Sequence, residues 1–151
     1  MTGKTEVTDV EAIKSLDELP AEKRELVDSA LGARNSAYAP YSSFAVGAAV
    51  RTGSGEIFTG CNVENASYGA TMCAERVAVF KAVSAGHTTF AEIAVVAEYS
   101  EPLPPCGMCR QVIAEFAPTA VVIMANTNGA ARVSSMGEIF PNAFDLGKRA
   151  D

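Results

Sequence analysis

Two stretches of this sequence, EIAVVAEY from Glu92 and AVVIMAN from Ala120, are apolar without alternation and of strand length. A strand with no polar face must be covered above and below, so such a chain needs helices packed on its sheet. The sequence supplies them. From Glu22 to about Tyr38, Leu26, Val27, Ala30, Leu31 and Ala33 recur at helical spacing, and the run stops ahead of Pro40. FAVGAAVRT and EIFTGCNV flank Gly53, Ser54 and Gly55 and read as a hairpin. The segment from Cys73 to about Ser84 carries Val77, Phe80 and Val83 with alanines between, and Gly86 ends it as a C-terminal cap. CGMCRQVIAEF places Val112, Ile113 and Phe116 at helical spacing, and an Asn-Thr-Asn-Gly turn follows the last apolar run. The alternation of strand and helix predicts an α/β fold whose central sheet is at least partly parallel.

At 151 residues the chain suits one domain with a sizeable core. Residues 1–20 are acidic, threonine-rich and weakly periodic, and Pro20 closes them. They are expected to form a partly mobile extension, with residues 21–151 as the single domain. With 18 acidic against 12 basic residues the net charge is −6, which repels polyphosphate and anionic membrane surfaces. Nucleic acid polymers and membranes are therefore not expected partners. MTGKTEVTDVEAIKSLDELP lacks the apolar core of a signal peptide, and no window reaches the roughly 18 apolar residues of a membrane span. A cytoplasmic location is expected.

Four cysteines, two of them spaced Cys-x-x-Cys at Cys106 and Cys109, point to metal or redox chemistry before disulfides. Cys73 and the Cys106/Cys109 pair each follow a loop and open an apolar helical run. The positive end of a helix favours the thiolate, which is the form that binds metal. Two such helix starts facing each other would bring three sulfurs to one Zn²⁺, for which thiolate is a better match than for calcium or magnesium. Three protein ligands leave the fourth coordination position to water, the arrangement of a catalytic zinc. Cys61 as a fourth ligand would instead close a structural site, although a lone cysteine in a strand is readily a small core residue. Glu75, two residues after Cys73, can take a proton from a water over the metal and pass it on. Taken alone it would equally serve as a first-turn acid complementing the helix dipole.

CAE followed some thirty residues later by PCGMC resembles the zinc-dependent nucleoside and nucleobase deaminase signature, in the form where cysteine stands in for a histidine ligand. YAPYSSFAVGAAV, GCNVENASYG, CAERVAVFKAV and PCGMCRQVIAEF follow the order and spacing of the small homotetrameric cytidine deaminases, from about Ala33 to Phe144. The resemblance implies a three-layer fold with a central mixed five-stranded sheet and helices on both faces. It implies one zinc per chain on Cys73, Cys106 and Cys109, with Glu75 as the proton-transferring residue. It gives Asn62 and Glu64 of NVEN to the ribose hydroxyls, where the residues alone suggest only a polar turn. Phe44 corresponds to the aromatic packed on the pyrimidine, although by pattern it is a strand core residue. The backbone around Ala74 and Pro105 would meet the base edge. Arg76 and Gln111 correspond to groups that offset the charge of the thiolates. Tyr68 and Phe144 sit where a neighbouring subunit closes the site, although Phe144 could also fill its own core. His87, in a turn after Gly86, is expected to be neither ligand nor base.

The implied reaction is hydrolysis of cytidine, and of 2′-deoxycytidine, to the uridine and ammonia, serving pyrimidine salvage. Glu75 takes a proton from water as the oxygen attacks C4, protonates N3, and relays a proton to the departing ammonia. Two other readings compete. One is a blasticidin-type aminonucleoside deaminase with the same ligands. The other is a zinc-stabilised binding module holding its metal with four thiolates and catalysing nothing.

Overall fold

The structure is a computed structural model that describes residues 12–148. The first eleven residues of the expected extension lie outside them. Further along, the extension is part of the fold: β1 (Lys14–Ser15) pairs with a later strand, and a turn of 3₁₀ helix over Leu16–Glu18 is capped by the Ser15 side chain. Leu19 is buried.

Helix α1 (Ala21–Arg34) ends four residues before the expected Tyr38. The reason is a competing set of backbone partners. Tyr38 N–H donates to Asn62 O at 3.0 Å and Tyr38 O accepts from Glu64 N–H at 2.8 Å, so this residue is bridged to the segment leaving the hairpin. That hairpin is β2 (Val46–Thr52) and β3 (Ile57–Cys61), turned at Gly55, whose φ of 96° lies where glycine has no Cβ penalty. Helix α2 (Ala74–Ser84) stops at Gly86, where Gly86 N–H donates to Val83 O and His87 N–H to Ala82 O, a Schellman closure. Next come β4 (Phe90–Ala97), α3 (Gly107–Phe116), β5 (Val121–Asn126), β6 (Ala130–Ser135) and the single turn α4 (Met136–Ile139).

The strand order is β1-β6-β5-β4-β2-β3, six strands where the resemblance implied five, the extra one being the two-residue β1 at an edge. Among the described residues only β4 and β5 run parallel, joined across α3; every other neighbouring strand pair is antiparallel. The unbroken apolarity of β4 is used as expected, its residues alternating between two cores. Ala94 and Val96 pack with Leu26, Val27 and Ala30 under α1, while Ile93 and Val95 pack with Ala78, Val79 and Ile113 under α2 and α3. The result is three layers, helix, sheet and helix.

Two glycines let the helices touch the sheet backbone to backbone. A Cβ on Gly60 of β3 would lie 2.4 Å from Ala74 O and 2.5 Å from Ala78 N, and one on Gly47 of β2 would lie 1.9 Å from Ala30 O. Gly32, on the exposed side of α1, has open space around it. Gly60→Ala is therefore expected to destabilise the domain by about 3 kcal/mol, the cost of forcing atoms into a packed core. Gly32→Ala is expected to stabilise it by about 0.5–1 kcal/mol, through helix propensity. Thermal unfolding of the two variants beside the parent checks both signs.

Candidate active site

The N-termini of α2 and α3 meet on the same face of the sheet. Cys73 and Cys106 are the N-cap residues of these helices, both with extended backbone, and Cys109 lies in the first turn of α3. Among the described residues, the sulfurs of Cys73, Cys106 and Cys109 all lie within 4.8 Å of one another, with Cys73 and Cys106 at 3.9 Å. A tetrahedral ion with Zn–S bonds of about 2.3 Å spaces its sulfurs about 3.8 Å apart, so this donor set fits zinc in number, chemistry and reach. Cys61, on β3, does not belong to the cluster.

The environment of the sulfurs favours thiolate at one of them. The Cys73 thiol falls to about 5, chiefly through the hydrogen bond from Cys109, against the opposing effect of burial, with Arg76 adding a hydrogen bond and its charge. Cys109, fully buried, is pushed the other way by the same contact and by burial. Arg76 Nη2 donates to Cys73 Sγ at 3.4 Å, so the guanidinium lies against a sulfur of the cluster. Its Nε is buried without a hydrogen-bond partner. Gln111 is elsewhere: its Nε2 donates to Phe144 O at 3.0 Å and so tethers the C-terminal segment.

Glu75, 5% exposed, lies in the first turn of α2 with Oε2 at 3.8 Å from the Cys109 thiol. Burial pushes its carboxyl up to about 6. Its own backbone N–H opposes this, charge on Cys73 adds to it, and Cys109 and Arg76 draw it down. A carboxyl of that strength accepts and returns a proton near neutral pH.

A cleft of about 270 Å³ opens over these groups. It contains Cys73, Cys106 and Glu75 together with Phe44, Asn62, Glu64 and Ala74. Phe44 precedes β2 instead of lying within it, which frees its ring from the strand core. Asn62, 8% exposed, uses its amide to span the approach to β2, Nδ2 donating to Phe44 O at 2.7 Å and Oδ1 accepting from Val46 N–H at 2.8 Å. Leu103 and Pro104 form the wall beside Cys106. Pro105 is buried behind it, its carbonyl accepting from Arg110 Nε at 2.7 Å. Ser42 and Thr71 also line the cleft and were not singled out from the sequence. Ser42 lies within YAPYSSFAVGAAV, but nothing in a loop serine signals that its hydroxyl meets a carboxylate twenty-two residues away.

Tyr68 and Phe144 do not reach this cleft within one chain. Tyr68, 74% exposed, lines an outer depression with Tyr41, Ser42, Glu64 and Thr71, and Phe144 is 70% exposed. His87 is paired with Glu56, Nε2 at 2.7 Å, and tilted against Phe58. No helix among the described residues is long and apolar enough to cross a membrane.

The family model for the cytidine and deoxycytidylate deaminase zinc-binding region matches residues 20–125. A cytidine deaminase of Halalkalibacterium halodurans is 47% identical over 124 residues, which is 82% of this chain and 94% of its own length. A blasticidin-S deaminase of Bacillus cereus is 36% identical over 104 residues, covering 64% of this chain and 74% of its own. The crystal structure of cytidine deaminase from Burkholderia pseudomallei matches with a TM-score of 0.77 at 53% identity, over 80% of this chain and 97% of that one.

The geometry predicts which cysteines a bound metal depends on. Replacing Cys73, Cys106 or Cys109 by Ala is expected to leave the purified protein with less than a tenth of the parent's zinc, because two sulfurs hold the ion far more weakly than three. Cys61→Ala is expected to retain one zinc per chain. Elemental analysis after dialysis against a weak chelator reads both outcomes.

Proposed function

The chain belongs to the cytidine and deoxycytidylate deaminase family, and on that premise we propose how its own residues convert cytidine to uridine and ammonia. It is a zinc-dependent hydrolase, and the reaction suits pyrimidine salvage. The observation that carries the assignment is the meeting of three sulfurs from two helix starts with a buried carboxyl, at the floor of a cleft large enough for a pyrimidine nucleoside.

Cys73, Cys106 and Cys109 hold the metal. Zinc, when bound, supplies an acidified water as nucleophile at neutral pH. Glu75 receives a proton from water at its carboxylate as the oxygen adds to C4 of the cytosine ring. It delivers that proton to N3, then takes the proton of the new C4 hydroxyl and passes it to the exocyclic nitrogen, so that the C4–N bond breaks, ammonia leaves and the C4 carbonyl of uridine forms. The burial of Glu75 supports this shuttle, since a desolvated carboxyl both accepts and releases a proton under the same conditions. Arg76 places its charge on Cys73 and so offsets the negative charge of three thiolates. Phe44 packs on the pyrimidine face, and the backbone at Ala74 meets the base edge.

Asn62 and Glu64 bind the sugar, which a free base cannot offer, so the enzyme acts on nucleosides, 2′-deoxycytidine included. The working form is a homotetramer in a cytoplasmic setting, with a neighbour's Tyr68 and Phe144 completing each site. Their exposure, and that of Met108 at 66% and Leu146 at 73%, supports a subunit contact.

Glu75→Gln, which keeps the shape and removes the titrating oxygen, is expected to lower kcat on cytidine by at least about 10²-fold, the lower end of what general acid–base catalysis contributes. Zinc content should remain one per chain. The fall in ultraviolet absorbance on deamination gives the rate, and the same assay on blasticidin S should be slower for the parent enzyme. A Glu75→Gln variant of undiminished rate would remove this residue from the chemistry, and faster turnover of blasticidin S would overturn the substrate.

A further inference from the structure

The Glu64 carboxylate is largely used up before any substrate arrives. Oε1 accepts from the backbone N–H of Tyr41 at 2.9 Å and of Ser42 at 3.1 Å. Oε2 accepts from the Ser42 hydroxyl at 2.5 Å. A carboxylate has about four lone-pair positions, two on each oxygen. Three are occupied by the Tyr41–Ser42 loop, which leaves one, on Oε2.

We propose that Ser42 is the positioning residue for sugar recognition, turning Glu64 so that its carboxylate reads a single substrate hydroxyl. The proposal rests on the reading of Glu64 as a sugar-binding residue and goes beyond it by assigning its orientation and its capacity. The serine hydroxyl has two bonds to make this arrangement firm: it donates to Glu64 and accepts from Phe44 N–H at 3.0 Å. One side chain thus ties the sugar carboxylate to the residue that faces the base. The loop is turned for this purpose at Ser43, whose φ of 57° is uncommon for a residue with a Cβ, and Ser43 N–H is held by Ala39 O at 2.9 Å. Ser42 lines both the catalytic cleft and the outer depression beside Tyr68, so it stands at the boundary a nucleoside crosses. The Ser42 hydroxyl is also the largest influence holding the Glu64 carboxyl below its usual range, against an opposing effect of burial and with the two backbone N–H groups helping. The group therefore remains an acceptor at neutral pH.

A contact to a sugar hydroxyl is made equally before and during the reaction at C4, so its loss raises KM and spares kcat. For zinc-loaded Ser42→Ala the expected result is a KM for cytidine about tenfold higher, the scale of one hydrogen bond to a charged group. Its kcat should stay within about twofold of the parent, and Ser42→Thr, which keeps the hydroxyl, should restore KM. The discriminating readout uses cytidine, 2′-deoxycytidine and 3′-deoxycytidine. The KM penalty of Ser42→Ala should vanish for the one deoxynucleoside that lacks the hydroxyl read by Glu64 and persist for the other. A penalty equal on all three nucleosides, or a fall in kcat with KM unchanged, would overturn the proposal and leave Ser42 a loop fastener. Glu64→Gln on the same three substrates separates the two levels. If its KM for cytidine does not move, Glu64 does not bind the sugar and the underlying reading fails. If Glu64→Gln discriminates between the deoxynucleosides and Ser42→Ala does not, the role of Ser42 alone fails.

Discussion

The site depends on how closely the first turn of α2 can approach β3. At Gly60 the strand offers no side chain, and the Ala74 carbonyl and Ala78 amide come within a distance that a single methyl would obstruct. Cys73, Ala74 and Glu75 belong to that turn, so the depth of the candidate metal ligand and of the proposed proton shuttle is set by backbone contact. Side-chain packing could be adjusted by a rotamer change; this contact cannot. The register of the hairpin extends the effect. Gly47 pairs with Cys61 and Ala48 with Gly60, which puts the close approach of α1 to Gly47 beside that of α2 to Gly60, on the opposite face of the sheet. The end of the hairpin from which Phe44, Val46 and Asn62 reach the cleft is thereby gripped from both sides.

The second constraint is charge in a desolvated place. Three thiolates around a divalent cation carry a net negative charge, and Glu75 adds another acid within contact distance of Cys109. Burying such a group without compensation would cost several kcal/mol and would blunt the acidifying effect of the metal. Arg76 is three residues after Cys73 on the same helix, so its side chain reaches back along the helix to the sulfur. The orientation has a drawback, since Nε is left buried and without a partner, a loss of about 1–3 kcal/mol.

Much of this was legible in the sequence, and for identifiable reasons. The helices that open with Cys73 and Cys106, the hairpin at Gly53–Gly55 and the doubly buried β4 and β5 all follow from local periodicity and turn chemistry, which act over a few residues. The cysteine spacing carried the metal cluster because sulfur chemistry allows few alternatives. What escaped is what depends on distant partners. Helix α1 stops at Arg34 because Tyr38 finds partners near Asn62, and β6 was missed because Arg132, Ser134 and Ser135 dilute its apolar character. Gln111 has the right spacing to approach the sulfurs but bonds to Phe144 O, a contact that only the fold of the C-terminal segment creates. Ser42 escaped for the same reason.

Part of the cleft wall is loop, and the loops are fastened by side chains. Asn62 spends one amide hydrogen on Phe44 O and one lone pair on Val46 N–H, which still leaves one donor and one acceptor for a ligand. Asn126, buried at the end of β5, donates to Tyr99 O and Ser100 O and accepts from Asn128 and Ala130, so the start of the loop carrying Leu103 and Pro104 is pinned to the β5–β6 turn. Arg110 holds the other end, bridging Pro105 O to Ile139 O on α4. Each of these side chains replaces backbone hydrogen bonds that a strand would have made, which is how irregular chain can be buried at all. Recognition built on such anchors is preorganised: the groups facing the substrate are held by the same bonds that satisfy the loop, so little ordering remains to be done when a nucleoside binds.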